Sequence, residues 1–593
     1  MLPVSTDPEP VSEITIRVLA TTDLHMHLLG SNGPGKPPPP TGGLAGISTL
    51  IETARAEAEA SGTPCLLFDN GDTLQGTPLA ETLAEAPVTP DHALVQSFNA
   101  LKYDACGLGN HDLDFGLPYL FDVARHLSMP LIASNLEANG PSPLVNRHML
   151  EVPLRQPLPG GRENLRIGIF SVLPETTARW NADSLEDGAR VLPVLGAAER
   201  AAGDLRREGA DLIIALAHMG PDRGDKPSPL KDLTCADAII AGHTHLRCAS
   251  EAGVPSDTTP PRPMVMPGFA GSDLGVLDLH LRVGETGTVE LVAHESALRR
   301  NSPGALQSHH IQAICATAIR DTARKLEEPV AHLNHGLHSY FALARPTGTT
   351  ALIARAQERA VRLALAGTPH AELPVVSVAA DPCTGGRGGP WDYVHIRPGT
   401  VRRRDLAALC PYRNKVWAVR TTGAELRRMM NHTARIFTQL SPDTPDQPIN
   451  DPAYPGFEFD TFYGLTCTID PTRPSDRVQD MRWNGSPLRD DAPFVLATNQ
   501  FRAAGGGGGH PVAAENILLR NVALVREAVE ETLNTEGYDP ARYPTPWRFA
   551  SPVPIRACLY TSPDACRYLG DELSGAICEG ETQSGFARVR LSL

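Results

Sequence analysis

The chain reads as a layered α/β protein of two successive domains, and three observations predict this. Its 593 residues are too many for one core at roughly 150 residues per domain. In the first half, short apolar runs alternate with amphipathic helical patterns, the rhythm of βαβ units that carry function at their strand ends. Near Asn301 the composition shifts, and a second alternating region begins that does not repeat the first.

Taken in order, the first-half strands are expected at Ile14–Ala20, Cys65–Phe68, Ala105–Leu108, Leu131–Ala133, Leu165–Val172, Leu212–Ala217 and Ala238–Ala241, because each is a short apolar run of strand length. Helices are expected at Ile47–Ala60 and Leu195–Glu208, where apolar positions recur at helical spacing with charges between. Residues 30–43, GSNGPGKPPPPTGG, are too rich in Pro and Gly for either element and should form an exposed loop. His309–Glu327 reads as a helix leading into the second region. There Pro374–Ala379, Lys415–Arg420, Gly464–Ile469 and Phe494–Thr498 read as strands, Thr422–Phe437 as a helix, and the C-terminal tail as a completing β element. The expected layout is a domain over 13–305, a linker helix over 306–326 and a second domain over 327–593.

Hydrophobic residues at 41% and charged residues at 20% exclude wholesale disorder. Fifty-three Lys and Arg against 68 Asp and Glu leave a net charge of −15, which argues against a nucleic-acid polymer as partner, since phosphate neutralisation needs a basic surface. Small phosphate esters need only a few local cations or metals and stay open. No run approaches the ~20 apolar residues that span a bilayer. Met1–Glu13 has neither a basic nor an apolar region of a signal peptide, so a cytoplasmic location is expected, with the periplasm as the alternative if the N-terminus is trimmed or mis-started. The 11 Cys form no CxxC pair, and neither a zinc ribbon nor a disulfide framework is expected.

The chemistry-bearing residues sit where these strands end. Asp23-x-His25 follows the first; Asp69-Asn70-Gly71-Asp72 the second; Gly109-Asn110-His111-Asp112 the third. His218 follows Leu212–Ala217, and Gly242-His243-Thr244-His245 follows Ala238–Ala241. Alone, each block has an ordinary reading: a capping Asp, an Asn-His turn, a loop. Five in this order, each after an apolar strand, present carboxylate, amide oxygen and imidazole together at the edge where α/β folds bind ligands. That donor set suits hard and borderline divalent ions, and a shared Asp can bridge two of them about 3.5–4 Å apart.

These blocks resemble the calcineurin-like metallophosphoesterases, whose pattern is D-x-H, G-D, G-N-H-[DE], H and G-H-x-H. The resemblance implies an N-terminal four-layer α/β/β/α domain and two divalent metal ions (Mn, Zn, Fe, Co or Ni). One ion would be held by Asp23, His25 and His245, the other by Asn110, His218 and His243, with Asp72 bridging. His111 would be the catalytic histidine, oriented by Asp114.

The second half adds DPCTGGRGGP at 381–390, where Gly pairs flank Arg387 as in a loop wrapped round an anion. It also adds YPGFEFDTFY at 454–463 and NQFRAAGGGGGHP at 499–511, whose rings could sandwich a flat base. With PETT (174–177), MPGF (266–269), NSPGA (301–305) and SYFALARP (339–346), the chain resembles the 5′-nucleotidase family, most closely its 2′,3′-cyclic-nucleotide 2′-phosphodiesterase/3′-nucleotidase branch. This implies a C-terminal α/β substrate-binding domain of the 5′-nucleotidase type, with Phe457 and Phe501 stacking the base of a nucleotide substrate. Arg387 and the backbone of Gly505, Gly506 and Gly507 would help to hold that nucleotide. GHTH, in place of the G-H-x-Q of the 5′-nucleotidase and UDP-sugar hydrolase branch, favours the cyclic-nucleotide branch. The rivals are that second branch, a thiosulfate-ester hydrolase of the same layout, a catalytically silent nucleotide-binding protein and, weakest, an endonuclease.

Overall fold

The computed structural model describes residues 12–30, 42–158, 161–185, 188–222, 228–251, 262–302 and 304–593. The chain divides into two compact units, Met1–Arg324 and Lys325–Leu593.

The first unit is built on two sheets. In spatial order one runs Val289–Arg300, Asp273–Val283, Ser12–Thr21, Cys65–Asp69 and Ala105–Cys106. The other runs Arg247–Ala249, Met264–Pro267, Ala238–Ala241, Leu212–Ala217, Asn164–Val172 and His148–Pro153. Within each, the strands that carry the motif blocks are parallel neighbours, so their carboxyl ends open on one edge. Alternate side chains of both sheets meet in a dry layer: Ile16, Val18, Ala20 and Phe68 from one, Ile167, Ile169, Ile214 and Ile240 from the other. Helices cover the outer faces. Gly43–Ser61, Ala93–Leu101 and Leu117–His126 contribute Ile47, Phe98 and Leu120 to a core on the first sheet, and Val194–Arg207 sets Ala198 and Leu205 on the second. The order helix, sheet, sheet, helix is the expected four-layer arrangement.

Most expected strands lie within a residue or two of their observed bounds. The third is shorter, Ala105–Cys106, and a 3₁₀ helix follows at Asn110–Leu113. Leu131–Ala133 makes only isolated bridges, Cys106 to Leu131 and Ile132 to Val145. The expected loop at 30–43 falls mostly outside the described residues. A long hairpin, Asp273–Val283 and Val289–Arg300, was not expected, although DLGVLDLHLRV alternates with period two. The His309–Leu326 helix buries Ile311 and Cys315 in the core of the first unit.

In the second unit a five-stranded sheet runs Thr461–Tyr463, Val375–Ala379, Pro493–Asn499, Val416–Thr422 and Ile517–Leu519. Val375 and Ala379 face the helices Gly348–Leu365 and Val525–Thr535, while Val376 and Val378 face Leu426 and Met430 of Gly423–Thr433. Three C-terminal strands, Arg556–Thr561, Ile577–Glu581 and Ala587–Ser592, join one four-stranded sheet. Against the expectation of unpaired thiols, Cys566 and Cys578 form a disulfide. Twelve residues apart, they carry no spacing motif, and a short helix at Leu569–Glu572 brings them together.

Candidate functional site

Every first-unit residue singled out by the motifs sits within a few positions of a parallel strand's carboxyl end, and the two sheets bring these ends together. Asp23, His25 and His245 form one group of possible metal ligands, and Asp72, His218 and His243 another; within each, the ligand atoms lie within 4.8 Å of one another. Asp72 also reaches the first group, its Oδ2 standing 3.9 Å from His25 Nε2 and 3.0 Å from His218 Nε2. Asn110 is buried and its Oδ1 has no hydrogen-bond partner among the described residues.

The loops hold these side chains in unusual backbone. Asp23, His25, Asp72, His243 and His245 all have positive φ, between 47° and 71°. Such conformations are disfavoured for side-chain-bearing residues and persist where the surroundings over-determine them. One device that does so is Asp112, whose carboxylate accepts the backbone N–H groups of Asp72, Thr73, Leu74 and Gly109 at 2.8–2.9 Å. It thereby ties the second block to the third. A Cβ on Gly109 would overlap Asp72 Oδ1, so glycine is required there.

Hydrogen bonds set the imidazoles. His25 Nδ1 bonds the carbonyl of Gln75 at 2.7 Å and His218 Nδ1 that of Asn70 at 2.8 Å, so each Nδ1 carries its proton; this leaves Nε2 of His25 an electron-pair donor and turns Nε2 of His218 to Asp72 Oδ2. The Nε2 atoms of His25 and His245 face each other at 3.1 Å. Two such donors oppose each other stably only around a shared proton or cation, so these residues fit divalent metal. Burial by itself would raise Asp23 and Asp72, but His218 beside both outweighs it, bringing Asp23 to about 2 and Asp72 well below the carboxylate range. Burial by itself would lower His218, yet Asp72 and Asp23 push it up to about 10. Two buried carboxylates thus need positive charge between them.

Beside the two groups, His111 Nδ1 bonds Asp114 Oδ2 at 2.8 Å, and its ring lies 5.3 Å from that of His25. Burial lowers His111, but the Asp114 and Asp72 carboxylates overcome this and carry it to about 9. Three neighbours join them: Phe269 from the MPGF run, and Trp180 and Asn181, which no motif marks. Trp180 stacks on His243 (centroids 5.4 Å apart), Phe269 stacks on His245 (4.7 Å), and Asn181 Nδ2 donates to Asp114 Oδ1 at 2.8 Å.

The second unit places Phe457 in a 3₁₀ turn at Gly456–Glu458, 39% exposed, and Phe501 on a short helix at Gln500–Ala503. Gly505 and Gly507 have φ of 91° and 69°, and a Cβ on Gly506 would enter the Phe501 ring. Two arginines stitch these loops together, Arg502 of the NQFRAAGGGGGHP run and Arg435, which belongs to no motif. Arg502 pairs with Asp460 at 2.9 Å and donates to the carbonyls of Phe457 and Gly506. Arg435 donates to Gly507 O at 3.2 Å and pairs with Glu458 at 2.5 Å. Arg387 lies in the Gly386–Gly388 turn, between Gly385 and Gly389, both with positive φ.

Residues 16–247 match the calcineurin-like phosphoesterase family and residues 329–515 the 5′-nucleotidase C-terminal domain. The chain is 26% identical to the 2′,3′-cyclic-nucleotide 2′-phosphodiesterase/3′-nucleotidase of Haemophilus influenzae, over 98% of this chain and 95% of that protein. It is also 26% identical to the trifunctional nucleotide phosphoesterase protein YfkN of Bacillus subtilis, over 87% of this chain but only 37% of that longer protein's length. In fold it is similar to a Staphylococcus aureus protein assigned as a 5′-nucleotidase and crystallised with α-ketoglutarate, with TM-score 0.70 and 18% identity over 90% of this chain and 99% of that one.

Proposed function

We propose, for a metal-dependent phosphoric ester hydrolase built from a calcineurin-like phosphoesterase domain and a 5′-nucleotidase C-terminal domain, that the chain opens 2′,3′-cyclic nucleotides to 3′-nucleotides and dephosphorylates these to nucleosides. The observation that carries this reading is His245, whose Nε2 lies 3.4 Å from Asp23 Oδ1 and completes a group of three ligands beside the group that holds Asp72. A glutamine there, as in the 5′-nucleotidase branch, would offer an amide instead. The relative matched over nearly its whole length bears the cyclic-nucleotide name, which supports the same branch.

Asp23, His25 and His245 would hold one divalent ion and Asn110, His218 and His243 the other, with Asp72 between them. Bound there, the ions would polarise the phosphoester and lower the pKa of a water. The chain's own residues do the rest. Asp114 fixes the His111 tautomer with Nδ1–H donating to the carboxylate, which turns Nε2 to the phosphate and leaving oxygens. Phe457 and Phe501 would offer stacking faces for the base, and the Gly505–Gly507 backbone and Arg387 would help to hold the nucleotide. No helix among the described residues is long and apolar enough to cross a membrane. The Cys566–Cys578 disulfide supports the exported alternative over the cytoplasm.

The test is release of phosphate and nucleoside from 2′,3′-cyclic AMP, 3′-AMP, 5′-AMP and UDP-glucose, each with Mn²⁺ and with EDTA. Turnover of the first two, abolished by EDTA, is expected. Preferential turnover of 5′-AMP or UDP-glucose would keep the metal centre and overturn the branch. Failure on all four with metal supplied would favour a silent binding protein.

A further inference from the structure

We infer that Asn181 is a positioning residue for phosphoester hydrolysis, acting through Asp114 on His111. The inference rests on the reading of His111 and Asp114 as the catalytic pair. Asn181 is 5% exposed and joins two short helices, Thr177–Trp180 and Ala182–Leu185. Its backbone is fixed in both directions, its N–H donating to Thr177 O and its carbonyl accepting from Leu185 N, each at 2.9 Å. Its side chain gives Nδ2–H to Asp114 Oδ1 at 2.8 Å, while Asp114 Oδ2 takes the His111 Nδ1–H at the same distance. The three residues form one line of hydrogen bonds, amide to carboxylate to imidazole.

The orientation of that amide is set by its partner. Turned over, Asn181 would aim its oxygen at a carboxylate oxygen, so only the donor can face Asp114. The amide's own Oδ1 has no hydrogen-bond partner among the described residues. A buried amide with an unfilled acceptor is a poor choice for stability alone, and the bond it does make is spent on the carboxylate that orients His111. The preceding residue pins the turn against the centre, because the Trp180 ring stacks on His243 at 5.4 Å and 23°. Without Asn181, Asp114 keeps one side-chain partner among the described residues, His111 itself. The carboxylate can then rotate and the imidazole loses its fixed tautomer.

A double-mutant cycle tests this with bis(p-nitrophenyl) phosphate and Mn²⁺, a probe that needs no nucleotide recognition. Kinetics of Asn181→Ala, Asp114→Ala and the double variant are compared with wild type, alongside bound metal by elemental analysis and the Tm. Asn181→Ala should lower kcat about tenfold, with KM and metal content unchanged. In the Asp114→Ala background the same change should cost nothing further. Full additivity of the two losses, an unchanged kcat in Asn181→Ala, or a loss expressed in KM or metal content overturns the inference. An Asp114→Ala enzyme as fast as wild type would instead sink the reading of the catalytic pair. Asn181→Leu, of similar shape and without a donor, replaces the alanine variant should that fail to fold.

Discussion

At the scale of single residues, the chain keeps charge where burial opposes it and suppresses charge where nothing answers it. Asp23 and Asp72 stay ionised because imidazoles surround them. His92 shows the opposite case. It is buried, bonds Tyr119 Oη through Nε2 at 3.0 Å, and burial, helped by His126, brings it down to about 4 from 6.5. As pH falls, the unfolded chain therefore takes up the proton first. The stability His92 contributes is complete above its unfolded value of 6.5 and drains away down to about 4. His92→Gln cannot titrate and should lose less stability between about pH 7 and about pH 4.5 in urea unfolding. Parallel losses in the two proteins would show that His92 is not held neutral by the fold.

At the scale of elements, the loops proposed to bind the base are held by each other. The Gly456–Glu458 turn and the Gln500–Gly507 segment are joined through Arg502 and Arg435, which take the carbonyls of Phe457, Gly506 and Gly507. Arg502→Ala should therefore raise KM for 3′-AMP about tenfold, roughly 1.4 kcal/mol, with kcat nearly unchanged. Hydrolysis of bis(p-nitrophenyl) phosphate should be untouched; an equal loss on both substrates would refute a role at the base. The same scale decides what the sequence made legible. Asp23, Asp72, Asn110, His218 and His243 could be read because each follows an apolar strand in a local pattern. Trp180, Asn181 and Arg435 could not, since they reach their partners only through tertiary packing and belong to no motif. The Asp273–Arg300 hairpin was open to reading from its alternation, whereas the pairing of Cys566 with Cys578 was hidden by a spacing that matches no motif.

At the scale of the whole molecule, two units with separate cores should melt as two transitions. Among the described residues, only the first holds the candidate ligand groups. Calorimetry of protein stripped with EDTA, then resupplied with Mn²⁺, should raise one transition and leave the other in place. At an ion concentration of 100 Kd the gain is about 2.7 kcal/mol per site. A shift of neither transition would refute binding, and an equal shift of both would refute its confinement to the first unit. The left-handed backbone at Asp23, His25, Asp72, His243 and His245 gives that centre a history as well as a chemistry. Each such residue strains the backbone by roughly 1–2 kcal/mol, which glycine would relieve. On the proposed function, a lineage bred for heat tolerance alone would drift toward glycine at these positions, and its hardiest descendant would be an inert protein.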